Sequence, residues 1–345
     1  MRRSGAVALV VVVAVGSSAS GCKRKKAPKL ERVWLASDHG CALEKGAGLA
    51  CWGKNDAGQL GDGTTQDRAI ATRMPGLERP DALALGPRAT CGLFGGVVRC
   101  WGIEAPRDLP AGVTAIGAAR QMICALHASG PRCWGGSTVK PEAIAAQVAF
   151  LRGARSFSGS ETALCAAFDA PKVVRCTGVG DDGAELLRGA DIASLAVGAA
   201  HACAALEGGS VTCWGENPFG QLGDGTKTAS RAPVTVNGIA GIAAVHAGSN
   251  HTCARARNGT TACWGDNRHY QLANGTTEAR SMPGAMFGLT GVAELALAGD
   301  GSCARTSDGM VKCWGANDVG QLGDGETTDV SVPASIRFGG GDATR

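Results

Sequence analysis

Aromatic residues are scarce in this chain, with 7 Trp, 7 Phe and 1 Tyr among 345 residues. A core for a body this large must therefore be assembled from small aliphatic side chains in several thin layers. The 53 glycines argue against long helices, since each costs about 1 kcal/mol relative to alanine inside one. Acidic residues are absent before Glu31, whereas Arg2, Arg3, Lys23, Arg24, Lys25, Lys26 and Lys29 precede it. Without those 7, the 34 basic residues become 27 against 30 acidic ones, so the body carries about −3 rather than the formal +4. A nucleic-acid binder keeps its basic surplus on the folded body, and this chain does not. Also missing are a G-x-S-x-G elbow, an HExxH helix and a phosphate-binding P-loop. No catalytic residue, metal ligand or cofactor is expected, and the chain reads as a non-enzyme.

The only long apolar run, Ala6 to Val15, is about half of a membrane span but fits the apolar core of a secretory signal behind the basic Met1 to Ser4. Ala19-Ser20-Gly21-Cys22 then resembles the lipobox of bacterial lipoproteins, with Ala19 where leucine is usual. Residues 1–21 are expected to be the signal, Cys22 the lipidated residue, and residues 22–31 a basic tether beside anionic headgroups. An ordinary cleaved signal and a solubilising linker are the alternatives. By resemblance to known sorting rules, Lys23 after the lipidated cysteine points to the outer membrane of a bacterial envelope.

A repeat fills the remainder. Cys303 to Gly325, CARTSDGMVKCWGANDVGQLGDG, recurs from Cys253, Cys203 and Cys41. The second cysteines lie at Cys51, Cys100, Cys133, Cys176, Cys213, Cys263 and Cys313, about 44 residues apart on average. Six continue as Cys-Trp-Gly and one as Cys176-Thr177-Gly178. Repeats one, five and seven go on to Gly-Gln-Leu-Gly-Asp-Gly and repeat six to Tyr270-Gln271-Leu272-Ala273, while repeats two to four lack this segment. Short apolar runs such as Ile192 to Gly198, alternating segments such as Val211 to Trp214, and returns such as Pro233 to Val236 make about four short strands per repeat. The fold class is thus all-β, a seven-bladed propeller over residues 32–338, followed by a glycine-rich tail at 339–345. The strand at Val330 to Phe338 is expected to pair into the first blade and lock the ring.

Fifteen cysteines leave fourteen once Cys22 is set aside. Turn residues such as Asn258-Gly259 and Gly95-Gly96 lie midway between the members of each pair, which places the two cysteines opposite each other on a hairpin. Seven bridges are expected: Cys41–Cys51, Cys91–Cys100, Cys124–Cys133, Cys165–Cys176, Cys203–Cys213, Cys253–Cys263 and Cys303–Cys313. Free core thiols and a metal site are the alternatives, the latter without a CxxC pattern. On an alternating strand, Trp52, Trp101, Trp134, Trp214, Trp264 and Trp314 face away from the bridges, to pack blade on blade or, less simply, to line an aromatic binding ring. His39, His201 and His251, two residues before the first cysteine, suggest a repeated structural hydrogen bond. The Gly-Asp-Gly segments read as turns capped by aspartate, with one carboxylate each being too few for calcium. Off-pattern polar stretches at Arg152 to Glu161 and Asp181 to Glu185 are places where a face could specialise.

The text His251-Thr252-Cys253-Ala254 leading to Cys263-Trp264-Gly265-Asp266-Asn267 and Gln271-Leu272 resembles the regulator of chromosome condensation (RCC1) repeat. The resemblance runs from Arg32 to Phe338, strong in repeats one, five, six and seven, and implies a seven-bladed propeller. The family's best-known member is a nuclear nucleotide-exchange factor that binds chromatin, roles at odds with an export signal. A secreted bacterial member instead inhibits an enzyme by covering it with one face. The resulting expectation is a monomeric, envelope-anchored, non-enzymatic binding scaffold for a protein or glycan partner, with no nucleic acid. The alternatives are a glycan-cleaving propeller with loop-borne carboxylates and a purely structural envelope component.

Overall fold

The computed structural model describes residues 28–339 except 78, 104–110, 136–138 and 181. The signal and Cys22 lie outside the described residues. Alternating segments form hairpins whose turns match the strand twist. At Gly95 and Gly96, φ is 57° and 85°, a left-handed pair that glycine adopts without steric cost.

Seven antiparallel meanders follow one another. Blade one is β1 (Leu30–Leu35), β2 (His39–Glu44), β3 (Gly48–Gly53) and β4 (Arg68–Arg73). Blade two is β5 (Ala82–Leu85), β6 (Ala89–Phe94) and β7 (Val97–Gly102). Blade three is β8 (Val113–Ala119), β9 (Met122–His127) and β10 (Arg132–Gly135). A helix, α1 (Pro141–Leu151), precedes blade four, which is β11 (Ala154–Gly159), β12 (Leu164–Asp169) and β13 (Lys172–Thr177). Blade five is β14 (Ile192–Val197), β15 (His201–Leu206), β16 (Val211–Gly215) and β17 (Ser230–Thr235). Blade six is β18 (Ile242–Ala247), β19 (His251–Ala256), β20 (Thr261–Gly265) and β21 (Arg280–Ala285). Blade seven is β22 (Val292–Ala298), β23 (Gly301–Thr306), β24 (Val311–Gly315) and β25 (Val330–Ser335). The protein is a seven-bladed β-propeller. Blades two, three and four, whose repeats lack the Gln-Leu loop, have three strands instead of four among the described residues, because that loop is what carries the chain back to an outer strand.

Two features differ from the sequence expectation. The stretch expected as a single closing strand is divided: β25 pairs with β24 in its own blade, with Cys313 opposite Ala334, while the end of the stretch does join blade one, Phe338 lying beside Ala71 of β4. Each repeat is a complete meander and has no strand to exchange. Ring closure falls to the residues beyond β25, where Ala71 N donates to Arg337 O at 2.8 Å and Gly339 N to Ala71 O at 3.1 Å. The second feature is α1, an 11-residue helix with proline in its first turn, which stands where blade three lacks an outer strand. The sheet also begins slightly earlier than expected, since Leu30 already pairs with Glu44.

Burial concentrates between blades. Seven apolar clusters lie one at each junction, for example Leu222, Val236, Ile242 and Trp264 between blades five and six. Fourteen cysteines form seven bridges, each within one blade at a Cα separation of 4.0 to 4.1 Å. In each, the two residues are direct cross-strand partners, as Cys253 and Cys263 are.

Candidate functional site: the loop-side mouth of the channel

Four buried asparagines organise the long loops. Asn217 Oδ1 accepts from Leu222 N at 2.9 Å, while its Nδ2 reaches Thr226 O at 3.2 Å and Thr228 O at 3.1 Å. Asn55, Asn267 and Asn317 repeat the bond to the leucine amide. The repeated aspartate caps the turn: Asp62 Oδ1 accepts from Thr64 N at 2.9 Å and Asp224 Oδ1 from Thr226 N at 2.9 Å. Burial alone would raise the Asp62 carboxyl, but bonds from Thr64, Arg68 and Asn55 outweigh it and hold the group below its ordinary range.

Each such loop presents one glutamine carbonyl to the following blade. Gln221 O accepts from Trp264 Nε1 at 2.9 Å and from Thr252 Oγ1 at 3.1 Å. Since the threonine hydroxyl donates there, its oxygen accepts from His201 Nε2, 2.9 Å away. Trp101, Trp314 and Trp52 likewise donate to Gln59 O, Gln271 O and Gln321 O. His39 meets Thr90 at 3.0 Å and His251 meets Ser302 at 2.8 Å. The histidines and tryptophans thus tie blades five, six, seven, one and two in series. Trp101 and Trp134 are partly exposed, whereas Trp52, Trp214, Trp264 and Trp314 are fully buried and form no binding surface. Glycine is required beneath them: a Cβ on Gly223 would stand 2.6 Å from Trp264 Nε1.

Where the preceding blade lacks the loop, the indole loses its acceptor. Trp134 Nε1 and Trp214 Nε1 are buried without a partner, and they follow blades two and four. Trp264→Phe should therefore cost about 1 kcal/mol more than Trp214→Phe, the net value of one hydrogen bond. Urea midpoints of the two variants test this, and equal losses would rule it out.

The first strands of all seven blades wall a central channel of about 860 Å³. At the end bearing the long loops, the turns after these strands join neighbouring blades around the axis. Arg120 N donates to Ser160 O at 2.6 Å, Ala199 N to Ser249 O at 2.9 Å and Ser249 N to Gly299 O at 2.6 Å. Ser37 Oγ of blade one reaches Glu161 Oε1 of blade four at 2.5 Å. Asp38, Glu161, Asp300, Asp318 and Asp329 gather at this mouth, beside His269, whose Nδ1 is 2.8 Å from Asp329 Oδ2. The only Lys or Arg among the described residues lining the channel is Arg32. It lies toward the other end, paired with Glu294 at 2.9 Å. Of the two off-pattern stretches, the first thus delivers Glu161 to the mouth. The second turns onto its own blade, where Asp182 Oδ1 accepts from Gly178 N at 2.7 Å and Glu185 pairs with Arg175 at 2.5 Å; Asp181 lies outside the described residues. Asp38, Asp300, Asp318 and Asp329 carried no distinguishing sequence signal, because only ring closure collects them.

A family model of the regulator of chromosome condensation (RCC1) repeat matches residues 208–255, and a second model of the same repeat matches 192–221, 242–271 and 299–321. Blades five to seven therefore carry RCC1 repeats. Fifty-seven residues of this RCC1-repeat chain, 16% of its length, are 47% identical to the E3 ubiquitin-protein ligase HERC2 of Homo sapiens. That segment is 1% of the ligase, so the chain spans a very small part of the curated relatives it matches. Among solved structures, the ectodomain of the Physcomitrella patens receptor kinase CR4 is similar at a TM-score of 0.58 and 21% identity, over 84% of this chain and 74% of that one. The CRINKLY WD40 ectodomain of the Arabidopsis thaliana receptor kinase ACR4 gives 0.54 and 20%, over 90% and 99%. Yeast RCC1, solved with Kap60, gives 0.50 and 17%, over 89% and 75%. At such identities the likeness is one of fold. Seven disulfides suit an oxidising compartment. Among the described residues, no helix is long and apolar enough to cross a membrane.

Proposed function

We propose that this chain is a non-enzymatic scaffold, anchored in the bacterial envelope through Cys22, whose loop-side mouth docks a basic surface of a protein partner. The observation that carries this reading is the convergence of Asp38, Glu161, Asp300, Asp318 and Asp329 at a mouth lined by no described lysine or arginine. Complementary charge of that kind orients a partner and speeds encounter. The entry of the chain supports it. Leu30 N donates to Gly309 O, in the hairpin turn after β23, so the chain joins the ring at the end opposite the mouth. A lipid on Cys22 with the basic run Lys23 to Lys29 would then direct the acidic mouth away from the membrane, with the outer membrane favoured by Lys23.

Glycan recognition has less support, because four of the six repeat tryptophans that could stack on sugars are fully buried between blades. A glycan-cleaving site would need a carboxyl raised above its ordinary range to act as the acid. Asp266 is displaced the other way: burial would raise it, but Arg268, bonded at 2.6 Å, outweighs that and holds it low.

The test is a photo-crosslinking residue placed at Asp318 or, on the opposite end, at Asp308, in protein expressed in its native host. Asp318 should capture a discrete partner, Asp308 should not, and Glu161→Arg with Asp318→Arg should abolish binding of that partner. Capture from both ends alike, or binding that survives the charge reversal, would refute the reading. Cys22→Ser should move the protein out of the membrane fraction.

A further inference from the structure

The repeat series is broken at one junction, and the break leaves a cavity. Thr177 occupies the position that tryptophan fills in the other six repeats, and its strand partner Leu164 corresponds to Thr252 opposite Trp264. In four of those repeats the indole packs on the loop of the preceding blade, as Trp264 does on Gly223. Here the preceding blade has α1 instead of the loop. Neither the ring nor its seat is present, and an open pocket of about 450 Å³ remains between blades three and four, within the range of small-molecule sites.

Its lining is amphipathic. Met122, Val139 and Phe150 supply apolar surface, and among the described lining residues Arg120 and Lys140 are the only charged ones, with no carboxylate. Arg120 Nη1 donates to Thr177 Oγ1 at 3.0 Å, which holds the guanidinium over the position left by the missing ring. Gln147, on the inner face of α1, also lines the pocket and is only 4% exposed, yet its Nε2 has no hydrogen-bond partner. A buried amide donor left without an acceptor costs about 1–3 kcal/mol, which an acceptor on a bound molecule would recover. Guanidinium, ammonium and amide are all donors, so the complementary group is an anion, and the apolar wall calls for a hydrocarbon tail.

We propose that the blade three to four junction is a binding site for an amphipathic anion, a carboxylate or phosphate monoester bearing an apolar tail. The anionic head bonds to Gln147 Nε2, Arg120 and Lys140, and the tail lies along Met122, Val139 and Phe150. Helix and threonine substitution then act together: one builds the wall, and the other leaves the space.

Calorimetric titration of the disulfide-intact protein with decanoate, decyl phosphate and decanol, all below their micelle concentrations, tests the site. Both anions should bind at least tenfold more tightly than decanol, and the tighter of the two identifies the preferred head. Gln147→Leu and Arg120→Asn should each weaken anion binding several-fold with decanol unchanged; asparagine tolerates the left-handed backbone found at Arg120, where φ is 52°. Thr177→Trp should fill the pocket and remove binding of all three, with an unchanged circular dichroism spectrum. Equal affinity for decanol and decanoate, no binding by the native protein, undiminished binding in Thr177→Trp, or undiminished anion binding in Gln147→Leu would each overturn the proposal.

Discussion

Reduction should unfold this propeller under conditions in which the oxidised protein stays native, and the bridges of blades two and three should be the first to open. Each bridge closes a loop of 9 to 11 residues. By the chain-entropy account such a loop is worth roughly 2–3 kcal/mol if unstrained. Seven together exceed the total of about 5–15 kcal/mol that a domain usually retains. The order of opening follows from cover. Ten of the cysteines in blades one and four to seven are at most 1% exposed, but Cys100 and Cys133 are only partly buried. Both lie on strands, β7 and β10, that have no outer strand beside them among the described residues. Blade four escapes because the segment after β13 folds back on it, with Leu186 N bonded to Val174 O at 2.8 Å. Limited reduction followed by alkylation and peptide mass analysis should show label at Cys91, Cys100, Cys124 and Cys133 before any other position. Uniform labelling, or a fully reduced protein with an unchanged urea midpoint, would contradict this account.

Acid should weaken the fold well above the pH at which carboxylates protonate. His201 and His251 are fully buried, and desolvation pushes them down to about 4 and about 3 from an ordinary 6.5. The geometry supplies the reason. Each donates through Nε2 to a hydroxyl in the next blade, and each Nδ1 is buried with no group to receive a proton. The unfolded chain therefore binds protons that the native state refuses. The stabilisation is complete above pH 6.5 and is lost as pH falls toward 4, by about 3 kcal/mol per histidine at 1.36 kcal/mol for each unit. His246 is also held at about 4, first by burial and then by Arg255, but part of its surface stays in the channel, where water weakens the effect. Urea midpoints between pH 7 and pH 4.5 should fall steeply for the native sequence and much less for His201→Gln with His251→Gln, in which the amide can keep the inter-blade donor. Parallel slopes would show that other groups carry the acid response.

Both expectations rest on residues whose regularity could be read from the sequence. A cysteine pair straddling Asn258-Gly259 can lie only on a hairpin, and seven such hairpins in series, each with one buried face, are satisfied by closing into a ring. The histidine recurring two residues before a cysteine announced a repeated structural bond, although not its partner, which lies 51 residues away in the next blade. The role of Gln221 was hidden for a different reason: the acceptor is its main-chain carbonyl, and no side-chain pattern reports where a carbonyl points. Missing text was informative too. Without the Gln-Leu loop, repeats two to four show no outer strand among the described residues, but the consequences for Trp134 Nε1 and Trp214 Nε1 appear only when one blade is laid against the next.

The sequence by itself determined the number of blades, the bridge in each, and the strands that carry them, because local hairpin geometry is written in residues ten apart. The closing contacts at Ala71, the helix beside blade three and both candidate sites were decided by tertiary structure alone. The acidic mouth assembles Asp38, Glu161, Asp300, Asp318 and Asp329 from three blades, and the anion pocket joins Arg120, Gln147 and Thr177 across a junction. Such groups have no common period along the chain. What brings them together is the inward turn of each first strand and the packing of neighbouring blades, which act over distances that no local pattern encodes.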